Sequence, residues 1–313
     1  MNFTIGTTFS EFKKDFYGKT SDLSLYDCGD INILKVVLDG LKVNYVSRGR
    51  TRLPFFRKDL IWNLVQSVKR KRTGGQPILQ TNTEATVLVV DLSGRSETVN
   101  NGIPESFYFD HLLKELHEGA YVHFVEHFKK PGYPHHHDLR KLTYLRHRAD
   151  EGYDLELRRD LLATYSRIAK SKLFDEKELE NIRVAIQSFF LQYKTWSGIL
   201  KHFPCLRTAV IEQHYHHEGL LLALKKSKVK SYEVQHGLIS ESDIFYVFPE
   251  QVRRIREKAL FPDNILVYGE YWKNILLKGS EFGRENIMGA GDFRKKTESL
   301  TSGEEKKELS EFC

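Results

Sequence analysis

Short apolar runs, each closed by a polar or glycine-bearing turn, constrain this chain more than any other feature. Thr86-Val-Leu-Val-Val-Asp91, Thr208-Ala-Val-Ile-Glu212 and Ile265-Leu-Val-Tyr268 are continuous rather than alternating in polarity, and Ser231-Tyr-Glu-Val234 is a fourth, shorter run. A strand apolar on both faces is one buried on both faces, the condition of a parallel sheet covered by helices. Strand, polar loop and helix in repetition give an α/β, Rossmann-like parallel sheet with flanking helices. Such sheets bind ligands outside the carboxyl ends of their strands. The residues just after each run are therefore the first place to look for chemistry.

The stretch 208–237 is the clearest unit. A strand at 208–212, a helix at Leu220–Lys228 and a strand at 231–234 form a βαβ unit with a right-handed crossover. Both strand ends then open on one edge of the sheet, which brings the 213–218 loop near Gln235-His236-Gly237. His236 can donate, accept or shuttle a proton near neutral pH. Gly237 admits a positive φ or a close backbone approach to a ligand. The loop Gln213-His214-Tyr215-His216-His217-Glu218 reads in three ways: a metal-binding cluster, a crevice lining that donates hydrogen bonds to a substrate, or a solvated loop. Asp91 either faces the crevice or caps its own loop, Asp91-Leu-Ser93-Gly94.

The remaining elements follow from periodicity. Tyr121–Glu126 is a second strand after a helix around Ser106–Glu118. Pro131-Gly-Tyr-Pro-His135-His136-His137 reads as an exposed loop, since neighbouring side chains of one regular element point different ways and cannot share a metal. Residues 138–172 are charged and helical. Asp175-Glu-Lys-Glu178 is a capping box opening a long helix whose aromatic side (Phe189, Tyr193, Trp196) belongs to a core and which stops at Pro204. Ile33–Val46 is either a hairpin turning at Asp39-Gly40 or a short helix ending at Gly40. Ile287-Met-Gly-Ala-Gly291 closes the patterned region as a last apolar turn.

Composition bounds the partners. A chain of 313 residues has length for two domains. No apolar run approaches the roughly 20 residues of a bilayer span, and the N-terminus lacks a basic-then-apolar leader. Three scattered cysteines form neither a disulfide framework nor a zinc motif, so a reducing cytoplasm is the simplest setting. A net charge of +6 points to an anionic partner. The span Lys42–Arg72 holds ten Lys/Arg and one acid, Asp59, around a helix at Phe55–Arg72. It is a solvated helix face, a contact with an anionic membrane, or a weak nucleic-acid patch. No sequence-reading nucleic-acid motif accompanies it.

Glu233-Val-Gln-His-Gly237, Tyr246-x-Phe-Pro249, Phe261-Pro-Asp263, Leu266-x-x-Gly269-Glu-Tyr-Trp272 and Met288-Gly-Ala-Gly291 occur in that order. Together they resemble bacterial surface-polysaccharide and capsule glycosyltransferase-like proteins of the GT-B group, closely over 208–292, loosely over 86–126 and not at all over 1–80. The resemblance implies two Rossmann-like domains facing across a cleft, with nucleotide-sugar and glycan acceptor as substrates and no other cofactor or metal. Catalytic roles fall to His236, with Asp91 in reserve, and substrate contacts to Gln235, Gly237, His214, Ser93 and Glu270. The expected organisation is an N-terminal region 1–80, a Rossmann-like acceptor-side domain 81–292 and a charged hinge 293–313, with the second, donor-side domain largely absent. The expected location is cytoplasmic, peripheral to the inner face of the membrane. The alternatives are a non-catalytic remnant or glycan- or partner-binding subunit, and a nucleotide-sugar epimerase-like enzyme.

Overall fold

The computed structural model describes residues 9–46, 84–91, 96–98, 104–106, 108–117, 119–125, 136–138, 151–241, 243, 245–248, 250–279 and 282–291. The basic stretch 55–72 that the sequence reads as a helix, Ser93 and residues 293–313 lie outside them.

Among the described residues seven parallel strands form the sheet: β3 (Val87–Asp91), β6 (Tyr121–Val125), β7 (His136–Asp138), β8 (Thr208–Ile211), β9 (Lys230–Val234), β10 (Asn264–Val267) and β11 (Ile287–Gly289). Their spatial order is β11-β10-β9-β8-β3-β6-β7, with every adjacent pair parallel. The chain starts at β3, builds outward through β6 and β7, then returns to the other side of β3 and builds outward from β8 to β11. This is the doubly wound arrangement, and its switch point lies between β3 and β8. Two small antiparallel pairs stand apart from it: β1 (Asp27–Cys28) with β2 (Ile31–Asn32), and β4 (Ser96–Thr98) with β5 (Pro104–Ser106).

Alternation along the strands divides the core. Leu88, Val90, Val122, Phe124, Ala209, Ile211, Ile265 and Val267 enter the larger cluster. Val89, Tyr121, Val210 and Val234 pack against Tyr108, Phe109 and Leu113 on the other face. There the helix α3 (Asp110–Glu115) lies between β5 and β6. The larger face is covered by α2 (Leu34–Val46), α5 (Glu176–Leu200) and α6 (Glu218–Lys226). The N-terminal residues are part of this layer: Phe16 of α1 (Phe9–Lys19), Tyr26, Ile33 and Val37 sit in the same cluster as the strands. Described residues from 16–41 and from 85 onward thus share one hydrophobic cluster.

The sequence signals for α5 hold in detail. Asp175 accepts from the Glu178 amide at 2.8 Å, and the Glu178 carboxylate accepts from the Asp175 amide at 2.9 Å, which satisfies two of the amides a helix start leaves open. Ile182, Ile186, Phe189, Tyr193 and Trp196 are buried along one side. The preceding charged stretch contains α4 (Glu151–Lys170). Two expectations fail. Residues 34–46 form one helix through Gly40, neither a hairpin nor a helix ending there. The reason is close packing: a Cβ on Gly40 would lie 2.9 Å from the Asn181 carbonyl oxygen of α5. His136–Asp138 is an edge strand rather than a loop, with His136 in register with His123 of β6.

Gly219 of α6 meets α5 from another side, where a Cβ would stand 2.5 Å from Gln192 Cβ and 2.6 Å from the Phe189 carbonyl oxygen. Gly18 of α1 has nothing within 4 Å of its Cβ position. Gly219→Ala should therefore destabilise by about 1–3 kcal/mol through overpacking against backbone that cannot move aside. Gly18→Ala should be neutral to stabilising by up to about 1 kcal/mol. Urea denaturation of the two variants checks the contrast, and equal effects at both sites would show that the α5–α6 approach is not sterically limiting.

Candidate functional site

The carboxyl ends of β8 and β9 carry a buried polar network that the flanking apolar strands make conspicuous. Glu233 lies in β9 with no exposed surface, in register with Ile211 and Ile265 on the faces of its neighbours. Its Oε2 contacts Nδ1 of the equally buried His214 in a very short hydrogen bond. Its Oε1 accepts from the Tyr246 hydroxyl. His214 Nε2 lies 3.0 Å from the Phe245 carbonyl oxygen.

Donor and acceptor chemistry fixes the protons. A carbonyl oxygen only accepts, so His214 Nε2 carries hydrogen. One further proton is shared between Nδ1 and Oε2, and the pair has no net charge wherever that proton resides. Burial alone would raise Glu233, but the adjacent imidazole and the Tyr246 hydroxyl outweigh it and hold the carboxyl below its ordinary range. The two groups titrate as one unit. Because Tyr246 donates to Glu233, its oxygen offers only lone pairs to His236 Nδ1, 3.5 Å away. In the neutral imidazole Nδ1 then carries the proton and Nε2 accepts from the Tyr215 hydroxyl, 2.7 Å away; in the imidazolium Nε2 donates to that oxygen instead. A directed chain runs Tyr215–His236–Tyr246–Glu233–His214, from half-buried groups into the core. Burial drives both tyrosine hydroxyls well above their ordinary value, and Glu233 adds to this. They therefore stay protonated and form hydrogen bonds as neutral hydroxyls.

The surroundings hold the chain in place. The Tyr215 ring stacks on Phe245 with centroids 4.3 Å apart. The Tyr108 hydroxyl donates to the His236 carbonyl oxygen at 2.7 Å. Gln235 is fully buried, its side-chain oxygen accepting from the Tyr268 amide at 2.9 Å and its nitrogen donating to the Gly237 carbonyl at 2.8 Å. It thereby ties the end of β10 to the turn after β9. Gly237 does not use a positive φ. Gly237, Gly269 and Gly289, which follow or end β9, β10 and β11, have nothing within 4 Å of their Cβ positions, so the edge is open there.

The other side of the 213–218 loop is held by α2. His216, at φ 64°, donates its amide to Asp39 Oδ2 at 2.8 Å and places Nδ1 3.0 Å from the same oxygen. Glu218 lies 3.6 Å from Lys35 Nζ, both side chains buried, and Lys35 also donates to the Leu260 carbonyl at 2.5 Å. Burial and the nearby Asp39 push Glu218 up to about 8. Burial pushes His217 down to about 3.

The structure brings His236 and His214 into one network and places Gln235 and Gly237 beside it. Asp91 is elsewhere. It is fully buried, accepts from Ser106 Oγ at 2.5 Å and has His123 Nε2 at 4.0 Å. Glu270 is exposed on the first turn of α8 (Glu270–Gly279), 3.7 Å from Lys273. The three loop histidines diverge, to Glu233, to Asp39 and to Gln213. Among the described residues no group of three His, Cys, Asp or Glu is placed to hold a metal, and no helix is long and apolar enough to cross a membrane. Sequence reasoning did not find Tyr215, Tyr246 or Asp39. Lys35 and Asp39, four apart among the apolar residues 33–41, were the available signal, since charges on a buried face need partners. No family model, curated protein or solved structure matches this chain.

Two stability measurements follow. Removing one member of the buried pair, by Glu233→Ala or His214→Ala, should each cost about 3–5 kcal/mol because the other is left uncompensated. The double variant should cost much less than the sum; additive losses in this double-mutant cycle would show that the two groups are not coupled. The pH dependence has a definite sign. Glu218 rises from 4.5 to about 8 on folding, so the folded state holds the extra proton and stability falls as pH rises through that window. His217 falls from 6.5 to about 3, so stability rises with pH between those values. Above pH 6.5 only the Glu218 effect of these two remains. Melting temperature should therefore drop between pH 6.5 and 8, and Glu218→Gln should flatten that limb; an unchanged slope in the variant would remove Glu218 as its cause.

Proposed function

We propose that this chain is the acceptor-side, Rossmann-like part of a GT-B-type glycosyltransferase-like protein of cell-surface polysaccharide assembly. The observation that supports this reading best is the hydrogen-bonded chain leading from half-buried Tyr215 and His236 to the buried Glu233–His214 pair, at the carboxyl edge of a doubly wound sheet. Transfer from a nucleotide-sugar needs a base to take the acceptor proton. An acceptor oxygen attacks the anomeric carbon, the bond from that carbon to phosphate oxygen breaks, and its electron pair leaves with the nucleotide. The acceptor proton passes to Tyr215 as Tyr215 gives its own to His236 Nε2. The imidazolium so formed faces the lone pairs of Tyr246, whose hydroxyl donates on to Glu233, so the hydrogen-bonded chain receives the new N–H. His236 is the base in this scheme, Tyr215 carries the proton to it, and Gln235 positions the turn. Transfer takes place in the cytoplasm at the inner face of the membrane.

One observation favours a binding-only reading: both ring nitrogens of His236 are engaged by tyrosines of the same chain. The two readings separate cleanly in the full-length gene product. A saturable rise in melting temperature with one nucleotide-sugar from a panel is expected, and His236→Ala should lower turnover with that donor by about 10²–10⁴-fold. Full turnover in His236→Ala removes the base role. No thermal shift with any nucleotide-sugar, together with no turnover, leaves the binding-only reading.

A further inference from the structure

Immediately after Gly237 the chain exposes an apolar surface that the relay does not use. Leu238 is 83% exposed and Tyr271 69% exposed. Together with Trp272 and Ile239 they line an open groove of about 360 Å³ between the 238–241 turn and α8, with Ser240 and Asn274 also in its wall. Large apolar side chains held this far into water, and gathered beside polar groups rather than scattered, mark a binding surface.

We infer that this groove is a saccharide subsite, which holds a neutral sugar unit of the acceptor next to the one that reacts; this rests on the glycosyltransferase reading above. Four features select that occupant. The volume lies at the lower end of small-molecule pockets, which suits one or two sugar rings and is small for a docking protein segment. The Tyr271 and Trp272 rings meet edge to face, at 84° with centroids 5.0 Å apart, and together form an aromatic corner in the groove wall, the kind of surface that takes the C–H face of a pyranose. The Ser240 hydroxyl and the Asn274 amide supply donors and acceptors of the kind sugar hydroxyls pair with. The two charges at the rim, Glu241 and Lys278, lie 3.5 Å apart and neutralise each other, so the groove has no excess positive charge for a nucleotide phosphate. Continuity with the relay comes from the chain itself, since Leu238 follows His236-Gly237 directly.

The test titrates the full chain with methyl N-acetyl-β-glucosaminide, methyl β-galactoside, methyl α-rhamnoside and UMP, followed by saturation-transfer NMR. At least one glycoside should bind saturably. Tyr271→Ala and Leu238→Ser, both at exposed positions where folding is unaffected, should weaken it at least tenfold. If a glycoside binds and neither variant weakens it, the sugar sits elsewhere, which overturns the subsite and spares the acceptor reading. If no glycoside binds while a nucleotide-sugar raises the melting temperature, the subsite is again overturned and donor recognition stands. Binding of UMP that Tyr271→Ala abolishes assigns the groove to a nucleotide and overturns the inference. Concentration-dependent dimers in light scattering that Tyr271→Ala dissolves would make this face a self-interface and overturn the subsite as well.

Discussion

The buried pairing of Glu233 with His214 is the interaction on which the carboxyl edge of this sheet depends. Each group alone would carry a penalty of several kcal/mol for leaving water. Together they share one proton, and their remaining hydrogen-bonding capacity is met by Tyr246 and the Phe245 carbonyl. That solution requires three distant segments at once: the loop after β8, the body of β9, and the 245–246 segment downstream. None of them can move independently without stranding a polar group in the core. A pair of this kind is weak evidence for high stability, because a well-packed apolar replacement is often as good. It is stronger evidence for a defined chain path.

The same loop is restrained from the opposite direction by α2. Asp39 and Lys35 reach across to His216 and Glu218, and Gln192 of α5 donates to the His216 carbonyl at 2.7 Å. The N-terminal helix is therefore part of the site's scaffold, although sequence patterning treated it as a separate region. Two glycines make this possible. Gly40 and Gly219 let α2 and α6 each approach the backbone of α5, and the loop hangs between them. Packing of the helical layer and placement of Tyr215 are thus one mechanical problem.

What the sequence revealed follows from which signals are local. Continuous apolar runs identified β3, β6, β8, β9 and β10, and the capping box identified the start of α5, because each depends on neighbouring residues only. The meeting of the 213–218 loop with the 235–237 turn was readable from the βαβ order alone. Gly40 was misread because a glycine after aspartate is a strong turn signal. The reason for this glycine is the Asn181 carbonyl about 140 residues away. His136–Asp138 carries no strand signature of its own, and its pairing to β6 supplies the structure. Tyr215 stood only as part of the 213–218 loop and Tyr246 only as part of a motif, and neither received a role, since their importance lies in partners that no spacing rule connects. Glu233 entered only as a member of a strand run and of a motif, and its partner was visible only in three dimensions.

The direction of the hydrogen-bonded chain illustrates how little freedom remains once the fold is set. A single backbone carbonyl, that of Phe245, cannot donate, so it fixes the proton on His214 Nε2. Tyr246 then points its hydrogen at Glu233 and only its lone pairs at His236. His236 is left with its acceptor nitrogen toward Tyr215. Reversing one bond of the neutral chain would set two hydrogens or two lone pairs against each other in a region of low dielectric, where such a mismatch costs most, unless His236 takes up a proton and donates from both nitrogens. The ordering runs outward from the core, so the group that ends up able to accept a proton is the one nearest the open edge. Topology places that edge, and the donor and acceptor sequence behind it decides which nitrogen serves.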